Sequence, residues 1–180
     1  MKQHITVFCG ARTGARPEYL ESAKTLGKLL GQQGRSLIYG GGKLGLMGRL
    51  AQSALENGAH VTSITTRRFS APSYHQPTHE EIMTETLAQR KTILLEKADA
   101  CIALPGGIGT LDEWSEVVSL LSSTLTDKPI GLLNTCGYYE TLMQFMAHMA
   151  REGFCSAELP RHLIIADTPE ELLLLLDAAT

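Results

Sequence analysis

Six short stretches of this chain are almost continuously apolar: Ile5–Cys9, Ser36–Tyr39, His60–Thr65, Ala100–Leu104, Pro129–Asn134 and Leu163–Ala166. A strand with one wet face alternates apolar and polar side chains. Unbroken runs mark strands covered on both faces, as in a parallel sheet. Between them lie stretches of helical periodicity: Pro17–Gln33, Leu44–Asn57, Thr84–Lys97, Thr110–Leu125, Tyr138–Glu152 and Pro169–Ala178. Pro17 suits a first helical turn, and Gly34 and Gly58 suit helix ends. The strand–helix alternation predicts an α/β fold, a single domain over residues 1–180. In it a doubly wound, Rossmann-like parallel sheet with right-handed crossovers carries helices on both faces. The one irregular stretch, Thr66–Met83, holds two prolines and two histidines, His75 and His79, and reads as a long functional loop or a disordered insert.

Such sheets bind ligands outside the carboxyl ends of their strands. Two glycine-rich turns fall there. The first, Gly40–Gly48, reads Gly-Gly-Gly-Lys-Leu-Gly-Leu-Met-Gly; the second, Pro105–Thr110, reads Pro-Gly-Gly-Ile-Gly-Thr. Glycines let the backbone approach a ligand closely, and a helix N-terminus favours an anion. One such turn can be a tight corner and nothing more; two at one sheet edge point to a bound phosphate. A Walker A loop is excluded, because Lys43 is followed by Leu44 rather than Ser or Thr. Gly40, Gly42 and Gly45 match a dinucleotide fingerprint, yet no acidic residue ends the next strand to hold a ribose. Arg67 and Arg68 stand there instead, which keeps an NADP-binding protein as an alternative.

Composition narrows the function classes. With 43% hydrophobic and 19% charged residues the chain is an ordinary globular one, and its net charge of −3 leaves no electrostatic footprint for nucleic acid or anionic membrane. No apolar run is long enough to span a bilayer, and the N-terminus has no signal-peptide pattern. Cys9, Cys101, Cys136 and Cys155 are widely spaced and read as reduced, buried thiols of a cytoplasmic protein rather than a zinc site.

Two charged residues stand beside the turns. Thr110-Leu111-Asp112-Glu113 is a capping box by pattern, with Glu113 reaching back to the helix start. It equally places Glu113, with Glu116 on the same face, one turn from a nucleotide phosphate. There a carboxylate stabilises an oxocarbenium-like transition state when a glycosidic bond breaks. The spacing does not choose between cap and catalyst. Arg90 and Lys91 interrupt the apolar stripe Leu87, Leu94, Leu95 and Ala98 of their helix. An inward guanidinium needs a carboxylate or phosphate, which makes Arg90 either half of a structural ion pair or a contact to ligand or Glu113. His60 and His148 read as structural, and Trp114 as packing or a pocket rim.

These residues resemble the LONELY GUY family, the cytokinin riboside 5′-monophosphate phosphoribohydrolases, long mislabelled as lysine decarboxylases. The matching segments begin at Val7-Phe8-Cys9-Gly10 and Arg16-Pro17-Glu18-Tyr19, and pass through both glycine turns and Leu111-Asp112-Glu113. They end at Asp127-Lys128-Pro129, Gly131-Leu132-Leu133-Asn134 and Gly137-Tyr138-Tyr139. The resemblance implies a homodimer with its active site near the interface. It also implies hydrolysis of the N-glycosidic bond of a nucleoside 5′-monophosphate, purine and with or without an N6 substituent, to free base and ribose 5-phosphate. Arg90 and Glu113 fall on the family's catalytic pair. Gly41, Gly42, Gly45 and Met47 of the first turn, and Pro105, Gly106, Gly107, Ile108, Gly109 and Thr110 of the second, are expected around the substrate. Lys91, Asp112 and Glu116 are expected beside them. Neither pyridoxal phosphate nor a metal is implied. The chain departs from the family where Ala11 replaces a usual serine, and where Leu87-Ala88-Gln89 precedes Arg90-Lys91 in place of Met-His-x. That departure favours a second reading, a nucleotide or cofactor carrier without catalysis.

Overall fold

A computed structural model describes residues 1–67, 77–156 and 163–179. The described chain runs β1 (His4–Phe8), α1 (Pro17–Gln32), β2 (Ser36–Tyr39), α2 (Gly45–Glu56), β3 (Val61–Thr66) and β4 (Glu80–Thr84). It continues through α3 (Leu87–Glu96), β5 (Ala100–Ala103), α4 (Ile108–Ser122), β6 (Ile130–Leu133), a 3₁₀ turn (Thr135–Gly137), α5 (Glu140–Arg151), β7 (Leu163–Ala166) and α6 (Pro169–Ala178). The strands form one seven-stranded sheet in the order β4-β3-β2-β1-β5-β6-β7, every neighbouring pair parallel. This is the doubly wound α/β sheet expected from the apolar runs.

The reason those runs are unbroken lies in the side chains of β1. Ile5 and Val7 enter a core formed with Leu26 and Leu30 of α1, Leu50 of α2 and Leu172 of α6. Phe8 enters the opposite core, with Leu94 of α3 and Trp114 and Val117 of α4. Thr6 points to that second side as well and satisfies its hydroxyl on the Leu94 carbonyl at 2.7 Å. Helices α1 and α2 stop as expected. Gly34 and Gly58 follow their last turns with positive φ, and the next residues, Arg35 and Ala59, donate back to Leu30 and Ala54. The two ends of the chain are clasped. Asp177 accepts from the Lys2 backbone and pairs with the buried Arg35 guanidinium at 2.7 Å, which holds its carboxyl below the ordinary range against the opposing effect of burial.

Two expectations need correction. The stretch Thr66–Met83 is not all loop: residues 68–76 lie outside the described residues, but Glu80–Thr84 is an edge strand in register with β3 from Thr62↔Glu80 to Thr66↔Thr84. Its Glu80 and Glu81 face solvent, and a charged edge has no apolar run to betray it. Accordingly α3 begins at Leu87 rather than Thr84. A capping box precedes it, in which the Thr86 hydroxyl accepts from the Gln89 N–H and the Gln89 side chain accepts from the Thr86 N–H.

Candidate active site

Strand β1 sits between β2 and β5, so the chain leaves its carboxyl edge in opposite directions on the two sides. The crevice this opens is a cavity of about 1020 Å³ at the ends of β1, β2 and β5. Gly41, Gly42 and Met47 of the first glycine turn line it, as do Pro105, Gly106, Gly107, Gly109 and Thr110 of the second, and Arg90 and Glu113. Gly45, Ile108, Lys91, Asp112 and Glu116 do not reach its wall. Cys9, Arg12, Tyr19, Leu44, Thr65, Leu87 and Tyr138 also line it, without having been singled out for the site. Their signal was faint: Tyr19 and Tyr138 stand in segments notable only for their resemblance, and Arg12 stands in the loop after β1.

The two glycine turns differ in what they leave free. At α2 the Gly10 carbonyl already accepts from the Leu46 and Met47 N–H groups, at 3.0 and 3.3 Å. The second and third donors of that helix are therefore engaged within the protein. Helix α4 starts at Gly107, which has extended backbone and no side-chain cap, so its first-turn N–H groups face the cavity rim unpaired by any side chain. The loop before it is tied from behind. The Leu104 carbonyl accepts from the Tyr139 hydroxyl at 2.6 Å, the Pro105 carbonyl from the Gly10 N–H at 3.1 Å, and the Gly106 carbonyl from the Tyr138 hydroxyl. Thr110, 5% exposed, packs so close beneath Gly106 that a Cβ there would lie 2.1 Å from its hydroxyl oxygen.

This placement takes the capping role away from Glu113. Thr110 is the third residue of α4, not its cap, because Gly107 starts the helix earlier than the Thr110–Leu125 periodicity predicts. Glu113 lies too far along to reach the helix start, and its carboxylate turns to Arg90 instead, with Nη1 to Oε1 at 2.5 Å. Both side chains are nearly buried, 14% and 11% exposed. Arg90 is fixed on every side. Its Nε donates to the Ile64 carbonyl at 2.9 Å, and Gly40 leaves room for Nη2, which would lie 2.2 Å from any Cβ at that position. Burial pushes the Glu113 carboxyl above the ordinary value of 4.5, with Asp112 adding to the rise while Arg90 and Lys91 oppose it. Burial, and then the charge of Glu113, likewise push the Cys9 thiol up, so it stays neutral beside the cavity.

Lys91 occupies the expected stripe but serves a second layer. It pairs with Asp112 at 3.0 Å and Glu116 at 2.7 Å, and these bonds raise its own pKa. In the departing segment, Leu87 lines the cavity, Ala88 does not, and Gln89 is the partner of Thr86 in the capping box of α3. Arg67 pairs with Glu85 at 2.7 Å outside the cavity, and Arg68 lies outside the described residues. Trp114 is core rather than rim. Of the cysteines expected to be buried, Cys136 and Cys155 are exposed, although all four are free thiols. Among the described residues no cluster of three or more His, Cys, Asp or Glu could hold a metal, and no helix is long and apolar enough to cross a membrane.

Residues 47–176 match a protein-family model described as "Possible lysine decarboxylase". A "Probable cytokinin riboside 5′-monophosphate phosphoribohydrolase" of Oryza sativa subsp. japonica is 38% identical over 177 residues, spanning 98% of this chain and 71% of the relative. A cytokinin riboside 5′-monophosphate phosphoribohydrolase of Arabidopsis thaliana is 37% identical, over 95% of this chain and 80% of the relative. Among solved structures, a molybdenum cofactor binding protein of Rippkaea orientalis superposes with a TM-score of 0.75 at 24% identity, covering 99% of this chain and 97% of its own. The molybdenum cofactor carrier protein of Chlamydomonas reinhardtii gives 0.74 at 20% identity, covering 99% and 98%. At those identities the shared property is the fold.

Proposed function

Because this chain belongs to the family of the cytokinin riboside 5′-monophosphate phosphoribohydrolases, we propose that it is an N-glycosyl hydrolase that converts a nucleoside 5′-monophosphate to free base and ribose 5-phosphate. The observation that carries the proposal is the Arg90–Glu113 pair, nearly buried in the wall of a large cavity beside the uncapped start of α4.

The 5′-phosphate would sit on the N–H groups at the start of α4, where the aligned peptide dipoles favour an anion. At the first turn the Leu46, Met47 and Gly48 donors are taken within the protein, so the principal phosphate contacts would fall at the second turn. The ribose would then lie against Glu113. As the C1′–N bond lengthens, its electrons leave with the base and C1′ gains positive charge. A carboxylate held ionised there stabilises that charge and orients the water whose oxygen bonds to C1′. One water proton goes to the departing base, which leaves neutral. Arg90 has its Nε on Ile64 and one Nη on Glu113, so its part is to hold the carboxylate ionised and aimed. The base would lie among Tyr19, Leu44, Met47 and Leu87, apolar surfaces that suit a purine, with or without an apolar N6 substituent.

The test is direct. Incubate the protein with a panel of nucleoside monophosphates, including N6-substituted AMP, and follow released base by chromatography. Binding without base release from any of them would overturn the hydrolase reading in favour of a carrier. That second reading draws on Leu87-Ala88-Gln89, one of the two places where the sequence differs from the family pattern.

We also propose that the enzyme is a homodimer. Ile108 and Leu111 on the first turns of α4, 81% and 38% exposed, offer an apolar surface next to the cavity mouth. A cytoplasmic setting suits four free thiols.

A further inference from the structure

We propose that Tyr138 is a positioning residue of the phosphate site, holding and screening the Gly106 carbonyl so that an anion can approach the start of α4. The inference rests on the phosphate reading above. An anion at a helix N-terminus is attracted by N–H groups and repelled by any carbonyl oxygen that shares the surface. Three successive carbonyls lead into α4, at Leu104, Pro105 and Gly106, and each is taken by a donor from another part of the fold. The first two donors are buried or belong to backbone: the Tyr139 hydroxyl and the Gly10 N–H. The third is the Tyr138 hydroxyl, and Tyr138 itself lines the cavity and is 40% exposed. Gly106 is therefore the one of the three whose carbonyl is covered by a side chain standing at the cavity.

The side chain is held in place for this task. Its ring meets Tyr19 edge-on at 5.5 Å and Tyr139 edge-on at 4.9 Å. The backbone leading to it bends sharply, with Cys136 and Gly137 both at positive φ, 54° and 71°. A non-glycine residue in that conformation costs energy, and what the bend delivers is Tyr138 to Gly106. Tyr139 is anchored independently, its N–H donating to the Asn134 side chain at 2.8 Å. Removing the Tyr138 hydroxyl should thus leave the fold standing and expose one carbonyl oxygen to the bound anion.

Tyr138→Phe keeps the ring and removes only the hydroxyl. The expected result is ribose 5-phosphate binding weakened about three- to tenfold by calorimetry, the range of one neutral hydrogen bond. KM for AMP should rise by the same factor with kcat unchanged, and binding of free adenine should not move. Equal ribose 5-phosphate affinity in the two proteins would overturn the proposal. So would a loss of adenine binding as large as the loss of ribose 5-phosphate binding, since that marks general damage to the cavity. Should the wild-type protein bind ribose 5-phosphate yet release no base, the hydrolase reading fails while calorimetry still decides the role of Tyr138. Should it bind no ribose 5-phosphate, the phosphate site is wrong and the proposal falls with it.

Discussion

Glu113 carries opposing demands in a single side chain. Burial favours its protonated form, whereas stabilising an oxocarbenium ion requires the charged one, and Arg90 at 2.5 Å keeps the charge within reach. Substituting Glu113→Gln preserves shape and removes the charge. Base release should then fall by about a hundredfold or more while ribose 5-phosphate binding holds, as for loss of a group that acts in the transition state alone. An active variant would return Glu113 to a structural role. The raised carboxyl also sets a pH signature: the acid limb of kcat should lie above the ordinary 4.5, and a limb at or below it would contradict the burial argument. The same shift has a stability consequence. The native state keeps this proton to a higher pH than the unfolded chain does, so the contribution of Glu113 to stability grows as pH falls through its raised value and levels off below 4.5. Above that raised value the buried charge weighs against the fold.

Helix α3 shows how an element with little buried surface of its own can hold a site. It has ten residues and one fully buried side chain, Leu94, yet it delivers Arg90 to Glu113. Its start is fixed by the reciprocal bonds of Thr86 and Gln89. Thr86→Ala should cost about 1 kcal/mol in chemical denaturation, the usual worth of an N-cap. If α3 frays as a result, kcat should fall as Arg90 loosens; a stability loss with unchanged kcat would show that the Ile64 carbonyl and Glu113 hold the guanidinium without the cap. The capping box also explains part of the departing segment, because Gln89 works at the helix start and not at the cavity. Periodicity placed α3 too early and missed β4. Both errors have one cause: an exposed edge strand of Glu80, Glu81, Ile82 and Met83 carries neither an apolar run nor a helical stripe. Local pattern reports burial, and where little is buried it reports little.

For the whole molecule, the exposed apolar side chains beside the cavity mouth bear on assembly. By sedimentation equilibrium the protein should weigh twice 19.6 kDa, and Ile108→Glu should shift it towards the monomer, since a charge is costly to bury in an apolar contact. A wild-type monomer would refute the dimer. The sequence by itself determined the parallel sheet, the helix ends at Gly34 and Gly58, and two glycine turns at one sheet edge with Arg90 facing inward. Each of these is written in the periodicity, the turn chemistry or the cost of a misplaced charge. Tertiary structure alone decided that the Leu46 and Met47 donors of α2 are occupied, because the Gly10 carbonyl that takes them is brought in just beyond the end of β1. It also decided that Glu113 pairs with Arg90 instead of capping α4, and that Tyr138 stands over Gly106. Those contacts join residues 23 and 32 positions apart, and no local pattern records a bond whose partner is brought in by the sheet.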